Sequence, residues 1–284
     1  MTDADHEHDH EHEDDFTRAD PGPRVAAFHA DGHGVKRIGY PILVTRGTVV
    51  RRTELNPSML RLTVGGPEFA GFHSHQADDH VKIVFPFPDG TRNDPVVNDH
   101  SELDWPRPYP PARKYTVRRY DPDACEVDLD VVLHAGGVAS EWARTAAVGD
   151  PVVVAGPPGA KAFAHNYDHY VLAVDPTGLP ALARWLAESP ADVSADVVID
   201  HDHDHERDYP LASRDGVSIT WLDRSGGSRL AEHVQALARA DGRTFVFAAG
   251  EAGDIKPLRR WAREQGLDSL VTGYWKRGVA DLQE

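Results

Sequence analysis

A single cysteine, Cys125, stands among 284 residues. One thiol cannot close an internal disulfide, build a cysteine-based zinc site or ligate an iron–sulfur cluster, so the chain carries no metal–sulfur relay of its own. Apolar runs long enough to span a bilayer are missing too. The amino terminus is acidic rather than basic-then-apolar, which gives no secretory signal. Together these absences lead to the expectation of a cytoplasmic protein with no membrane partner. Positive charge is also scarce, with 30 Lys and Arg against 46 Asp and Glu, a formal net charge of −16. Nucleic acids and anionic membrane surfaces need a basic face, so both are excluded as partners. An anionic substrate would need a local basic patch set against the global field.

Large apolar residues are almost absent from residues 1–35, where "HEHDHEHEDD" alternates histidine with acid. That composition cannot bury a core and predicts a disordered His/acid-rich tail. From Tyr40 onward the texture turns β: "YPILVTRGTVVRRTEL", "SMLRLTVGG", "DDHVKIVFPF", "ARKYTVRRYD", "CEVDLDVVLH" and "DPVVVAGPPG" are short β-branched runs split by Gly, Pro, Asn and Asp. Residues 36–163 therefore read as an antiparallel β-barrel. The breaker-rich "PDGTRNDPVVNDHSELDWPRPYPP" reads as a loop inside it. Past Tyr167 strands alternate with helices, as in "YVLAVD", "LPALARWLAES", "ADVVID", "RLAEHVQALARA" and "TFVFAAG". This rhythm predicts a parallel-sheet α/β nucleotide-binding domain over residues 164–284. The helix in "DIKPLRRWAREQG" is expected to take Asp254 as its N-cap, with Pro257 in its first turn and Gly266 at its stop.

Two stretches carry chemistry. In "HAGGVASEWA", residues 134–143, an apolar strand ends at His134, bends through Gly136-Gly137 and enters a helix near Ser140. Plain turn chemistry accounts for this, and so does an anion site, because a helix N-terminus offers bare amides to a phosphate. Upstream lies Arg113-Lys114-Tyr115-Thr116. The strand period puts Arg113 and Tyr115 on one face and Thr116 on the other. An arginine fork suits a diphosphate, a tyrosine ring covers a planar heterocycle, and a threonine hydroxyl reaches a ring nitrogen. An ordinary basic strand with a half-buried tyrosine is the plainer reading, and Trp142 reads as a core residue of the following helix.

Residues 113–159, running from "RKYTVRRYD" to "VVVAGPPG", together with "FAAGEAGDIKPLRRWAREQGLDSLVTGYWKRG", resemble the siderophore-interacting protein family, FAD-dependent ferric-siderophore reductases related to ferredoxin–NADP reductases. The likeness covers about residues 36–280. It implies a flavin-binding barrel followed by a nicotinamide-nucleotide domain, with FAD as cofactor and NADH or NADPH as reductant. By that resemblance Arg113 and the amides around Gly137, Ala139 and Ser140 hold the FAD diphosphate. Tyr115 and Thr116 contact the isoalloxazine and ribityl chain, with Asp130 and His134 nearby. The nucleotide side falls to Thr177 in "VDPTGLPALA", to Asp200 at the end of "ADVVID", and to Gly250 and Glu251. The first of these loops is poorer in glycine than in ferredoxin reductases, and Ala249-Gly250-Glu251 stands where those enzymes often place a cysteine. An acid at the end of the second strand accepts from the ribose 2′-OH of NADH, so Asp200 predicts a preference for NADH.

A flavin suits such chemistry because it takes two electrons as hydride and releases them singly to ferric iron. Ferric catecholates are anionic, and Lys276 and Arg277 in "YWKRG", with Lys82, Lys161 and Arg259, are the candidates for a basic docking patch. Two histidine runs remain. His6, His8, His10 and His12, and again His201, His203 and His205, alternate with acids, which in an extended segment aligns imidazoles as weak ligands for a divalent metal. A solvated acidic segment is the plain alternative. Two rival functions are a general flavin or ferredoxin-coupled oxidoreductase of the same fold, and a non-catalytic siderophore or metal carrier.

Overall fold

The computed structural model describes residues 17–279, so His6, His8, His10 and His12 lie outside the described residues. The expectation of disorder through residue 35 is corrected by a helix, α1 (Pro21–Asp31), followed by strand β1 (Val35–Gly39). Pro21 opens the helix at a position where a missing N–H costs nothing. Val25 is buried with Ile38, Tyr40, Ala160 and Ala162, and Phe28 packs on the same cluster. Those contacts, and the His29 carbonyl that accepts from the His165 N–H at 2.7 Å, are long-range and invisible to local composition.

The barrel closes from β2 (Val44–Asn56), β3 (Met59–Gly65), β4 (His80–Val84), β7 (Ala112–Asp121), β8 (Glu126–Val132) and β9 (Pro151–Ala155), in the order β2-β3-β8-β7-β4-β9. Its neighbouring strands run antiparallel. Alternate residues such as Leu60, Leu62 and Val64 turn inward against Val127, Leu129 and Val131 across the β3–β8 pair. The breaker-rich insert carries only a two-residue pairing of β5 (Val96–Val97) with β6 (Leu103–Asp104). Helix α2 (Val138–Thr145) follows β8 and seats Trp142 edge-on against Phe85 of the barrel, ring centroids 5.3 Å apart. Strand β10 (Gly159–Phe163) leaves the barrel and pairs antiparallel with β1.

The second sheet is parallel throughout, in the order β13-β12-β11-β14-β15: β11 (His169–Val174), β12 (Ser194–His201), β13 (Val217–Asp223), β14 (Thr244–Glu251) and β15 (Asp268–Trp275). Both of its faces are covered. Tyr170, Leu172 and Val174 pack with Leu182 and Trp185 of α3 (Leu179–Glu188) on one side. Val171 and Ala173 pack on the other with α4 (Leu230–Ala236) and α5 (Ala252–Glu264). Burial on two faces explains the continuous apolar runs of these strands. Strand order reverses between β11 and β14, which puts the ligand-binding crevice of an open α/β sheet at their carboxyl ends.

Candidate active site

Strand β7 threads between β4 and β8, and its first residues face a cavity of about 560 Å³ between the barrel and the parallel sheet. Arg113, Lys114, Tyr115 and Thr116 all line it, so the cavity takes side chains from both faces of the strand rather than from one. Burial pushes the Tyr115 hydroxyl well above its ordinary range, with Arg113 pulling weakly the other way, and keeps it neutral.

Gly136, Gly137, Val138 and Ala139 form a second wall. Gly137 is the N-cap of α2 and lends no side chain to the first-turn amides. A Cβ there would come within 2.4 Å of the His134 ring, which lies across the glycine and lines the cavity itself. This cradle, an uncapped helix start beside Arg113, has the donor chemistry that a diphosphate requires. Ser140 is set behind the wall: its Oγ accepts from the His134 N–H at 3.1 Å and donates to the Val132 carbonyl at 3.3 Å, bracing the turn. Asp130 lines the cavity while its carboxylate is held by Arg61, at 2.7 and 2.8 Å, and by the Tyr209 hydroxyl at 2.5 Å.

On the parallel-sheet side the cavity meets Pro176, Thr177 and Pro180, the end of β15 (Thr272–Trp275), and the pair Asp202–Arg224. Asp175, just after β11, organises this rim. Its Oδ1 accepts from the Thr177 N–H at 2.8 Å and hydroxyl at 2.5 Å. Its Oδ2 accepts from the Glu251 N–H at 2.9 Å and from Trp275 Nε1 at 2.8 Å. Arg224 reaches the same carboxylate at 3.5 Å and holds Asp202 through Nε at 2.6 Å and Nη2 at 2.5 Å, while its guanidinium lies 5.8 Å from the Trp275 ring centre.

Several expectations are corrected here. Asp200 does not line the cavity; it is buried, 1% exposed, and burial pushes its carboxyl up to about 6. Strand β12 runs on to His201, so the acid presented at the strand end is Asp202. Gly250 and Glu251 are structural rather than cavity residues. Gly250 has φ +156, and a Cβ on it would lie 2.7 Å from Asp175. Glu251, not Asp254, is the N-cap of α5, accepting from the N–H groups of Gly253 and Asp254 at 2.6 and 2.9 Å, and Pro257 lies inside that helix.

None of the five candidate docking cations lines the cavity. The Lys82 ammonium sits 4.8 Å from the Trp105 ring centre and donates to the Tyr109 hydroxyl at 3.2 Å. Lys161 stands opposite Arg37 in the β1–β10 pair, and Arg259 donates to the Val271 carbonyl at 2.5 Å. Arg277 is bound bidentately to Asp254 at 2.9 and 2.6 Å, while exposed Lys276 bridges to Val279. The cavity's own fixed cations are Arg113, Lys114 and Arg224. The His201–His203–His205 run is not extended. Its chain coils into a 3-10 turn (Asp204–Asp208), His201 is buried beside Arg207 and Trp221, and His203 stacks on His205 at 5.2 Å. No group of three or more His, Cys, Asp or Glu among the described residues is placed to hold a metal.

Sequence reasoning missed His80, Lys114, Asp202, Arg224 and Trp275 as cavity residues. Lys114 lay inside a tetrapeptide already singled out. Trp275 sits in the quoted "YWKRG", and the aromatic next to the basic pair was the available signal. Arg224 had none, since only the parallel register of β12 with β13 brings it beside Asp202.

A closed antiparallel barrel and a parallel five-stranded sheet sharing one cleft define a ferredoxin-reductase-like fold. A ferredoxin NADP+ reductase from Neisseria gonorrhoeae, solved with bound FAD and NADP, has the same fold at TM-score 0.58 and 12% identity, covering 82% of this chain and 99% of that one. Residues 48–161 match the siderophore-interacting FAD-binding domain and residues 167–278 the siderophore-interacting protein family. The chain belongs to the siderophore-interacting protein family. It is 34% identical over 235 residues to an NADPH-dependent ferric-chelate reductase of Escherichia coli K12, covering 80% of this chain and 91% of that protein. It is 28% identical to a ferric vibriobactin reductase of Vibrio cholerae, covering 86% and 92% respectively. A siderophore utilization protein from T. fusca superposes with TM-score 0.82 at 37% identity, covering 88% of this chain and 98% of that one.

Proposed function

We propose that the protein is an FAD-dependent reductase of ferric siderophores that moves electrons from NADH or NADPH through the flavin to Fe(III) and releases Fe(II). The observation that carries this reading is the single cavity onto which the Arg113–Thr116 strand, the uncapped start of α2 and the carboxyl ends of β11 and β15 all open. Arg113 and the amides of Val138, Ala139 and Ser140 take the diphosphate; Tyr115 and Thr116 take the ring system and ribityl chain, with Asp130 and His134 at its flank. Thr177, with Pro176 and Gly273, receives the nicotinamide end. A bound flavin supplies the conversion between a two-electron donor and one-electron ferric iron. The siderophore's hard oxygen donors hold Fe(III) far better than Fe(II), so the electron itself loosens the chelate. Lys114 at the cavity, and exposed Lys276 beside Trp275, meet the anionic chelate.

The reading draws support from relatives whose names specify ferric-chelate and ferric vibriobactin reduction. We place the reaction in the cytoplasm, where reduced nicotinamide nucleotides are supplied; no helix among the described residues is long and apolar enough to cross a membrane. The test is anaerobic Fe(II) release from a ferric siderophore, followed with a ferrous chelator, with NADH, NADPH or reduced ferredoxin as donor. Turnover with a nucleotide supports the reading. Turnover with ferredoxin alone reassigns the donor, and a flavin-free protein that only binds the chelate makes it a carrier.

A further inference from the structure

Arg184 is 4% exposed, in the middle of α3, and most of its hydrogen bonds leave its own domain. Nη1 donates to Ser74 Oγ at 2.6 Å and to the Val117 carbonyl at 3.1 Å, and Nη2 donates to the Ser74 carbonyl at 3.0 Å. Only Nε stays within the helix, on Glu188 at 2.7 Å. A buried guanidinium whose two terminal nitrogens are both held by acceptors of the barrel is a rigid strut, because its fork admits one orientation.

What the strut joins gives it a role beyond stability. Pro180, one turn before Arg184 on the same helix face, lines the cavity on the nucleotide side. Val117 directly follows Thr116, which lines the cavity on the flavin side. The Val117 N–H donates to the Asp79 carbonyl at 2.8 Å, and the Asp79 carboxylate takes the Ser74 hydroxyl at 3.3 Å. Asp79 in turn directly precedes His80, another cavity residue. Arg184, Ser74, Asp79 and Val117 thus form one hydrogen-bonded ring beneath the place where the two halves of the cavity face each other.

We propose that Arg184 is a positioning residue for hydride transfer, setting the separation of the nicotinamide side (Pro176, Thr177, Pro180) from the flavin side (Tyr115, Thr116). This rests on the flavin–nicotinamide reading given above. Hydride transfer requires the reacting atoms at about 3–3.5 Å, and a displacement of about 1 Å costs on the order of a hundredfold in rate. A strut of fixed length between the two walls is the device such a tolerance needs. Arg184 does not itself line the cavity, and its effect falls on the transfer step rather than on binding.

Arg184→Met keeps the buried stem and removes the donors. In the FAD-loaded protein, the limiting rate of flavin reduction by NADPH or NADH in stopped flow is expected to fall at least tenfold. The nucleotide Kd and flavin content stay within twofold of wild type. The long-wavelength charge-transfer absorbance of reduced flavin with NADP+ or NAD+ is expected to fade, a signature that lower stability alone would not remove. Reoxidation of photoreduced protein by a ferric chelate is expected to be unchanged, and Arg184→Lys should recover part of the loss. If Arg184→Met does not fold, Ser74→Ala, which deletes the hydroxyl that accepts from Arg184 and donates to Asp79, carries the same comparison with an expected loss of about threefold. A folded variant with wild-type limiting rate and charge-transfer band overturns the proposal while leaving the flavin reading intact. A wild-type protein that takes up no flavin overturns the reading and the proposal with it.

Discussion

The Tyr209 hydroxyl, from the parallel-sheet domain, donates to the Asp130 carboxylate of barrel strand β8 across 2.5 Å, on a side chain that also lines the cavity. Arg61 holds the same carboxylate bidentately. The contact joins the two domains at the floor of the site, so it acts on stability and on cofactor geometry together. Tyr209→Phe removes one hydrogen bond to a charged acceptor, worth about 1.5 kcal/mol or more. A fall in melting temperature of about 3–6 °C is expected, with weaker flavin retention on gel filtration. An unchanged melting curve would show that Arg61, within the barrel, holds the carboxylate unaided and that the Tyr209 contact adds nothing to the domain junction.

Arg113 offers the barrel's charged fork to a diphosphate. Arg113→Ala should weaken FAD binding by roughly 1.5–3 kcal/mol, the range of a charge-assisted hydrogen bond, which is about ten- to 150-fold in Kd. Titration of the apoprotein with FAD, followed by flavin fluorescence, measures this. FMN has a single phosphate and should lose less. Equal affinity of variant and wild type for FAD counts against the diphosphate assignment.

Reductant choice should depend on Asp202 and its partner Arg224. As they stand, Asp202 can accept from a ribose 2′-OH, and Arg224 is occupied. Asp202→Asn removes an anion beside the 2′ position and releases Arg224 toward a phosphate. The ratio of kcat/KM for NADPH over NADH is expected to rise about tenfold, which is about 1.4 kcal/mol. A ratio that does not move would show that this strand end never meets the ribose.

The histidines beneath α1 should impose an acid limit. Burial pushes His165 down to about 3 and His75 down to about 4, from a free value near 6.5, and lowers His29 and His73 as well. Groups whose folded values are depressed contribute stability that is present above about pH 6.5 and lost as pH falls. Asp78, pushed up to about 7, and Asp79, pushed up to about 6, both by burial, act in the opposite sense, since raised carboxyls stabilise the fold as pH falls. Arg184 opposes the shift of Asp79 and lowers His75 further. His165→Phe keeps a ring against His29, now 3.9 Å away, and removes one titration. The drop in melting temperature between pH 7.5 and pH 5.5 should shrink by about 2 °C. An unchanged drop would place the acid sensitivity elsewhere.

Periodicity and punctuation made the architecture legible. The β-branched runs up to Ala155 close the barrel, and the later alternation builds the parallel sheet. The stretch around Gly136-Gly137 and the Arg113–Thr116 strand were legible as chemistry because each is local, a turn or a tetrapeptide. What escaped was non-local. Helix α1 draws its stability from Ile38, Tyr40 and Ala162 rather than from its own composition. Asp200 was misplaced by the length of a single strand, since β12 continues to His201 and turns the next acid outward. Lys82, Arg259 and Arg277 looked like free cations, and each is engaged by an aromatic ring, a carbonyl or a carboxylate far along the chain.

The rim organised by Asp175 has an electrostatic consequence for how a dinucleotide arrives. Asp175, Asp200, Asp202, Glu251 and Asp254 cluster about Arg224 and Arg277, and the whole chain is acidic. A phosphate-bearing donor therefore approaches against a repulsive field, in contrast to the attractive funnels that speed most anionic ligands. Added salt shortens that field to about 8 Å at 0.15 M ionic strength. The association rate of the nicotinamide nucleotide should consequently rise with salt, and the physiological ionic medium acts as an activator of encounter at this face.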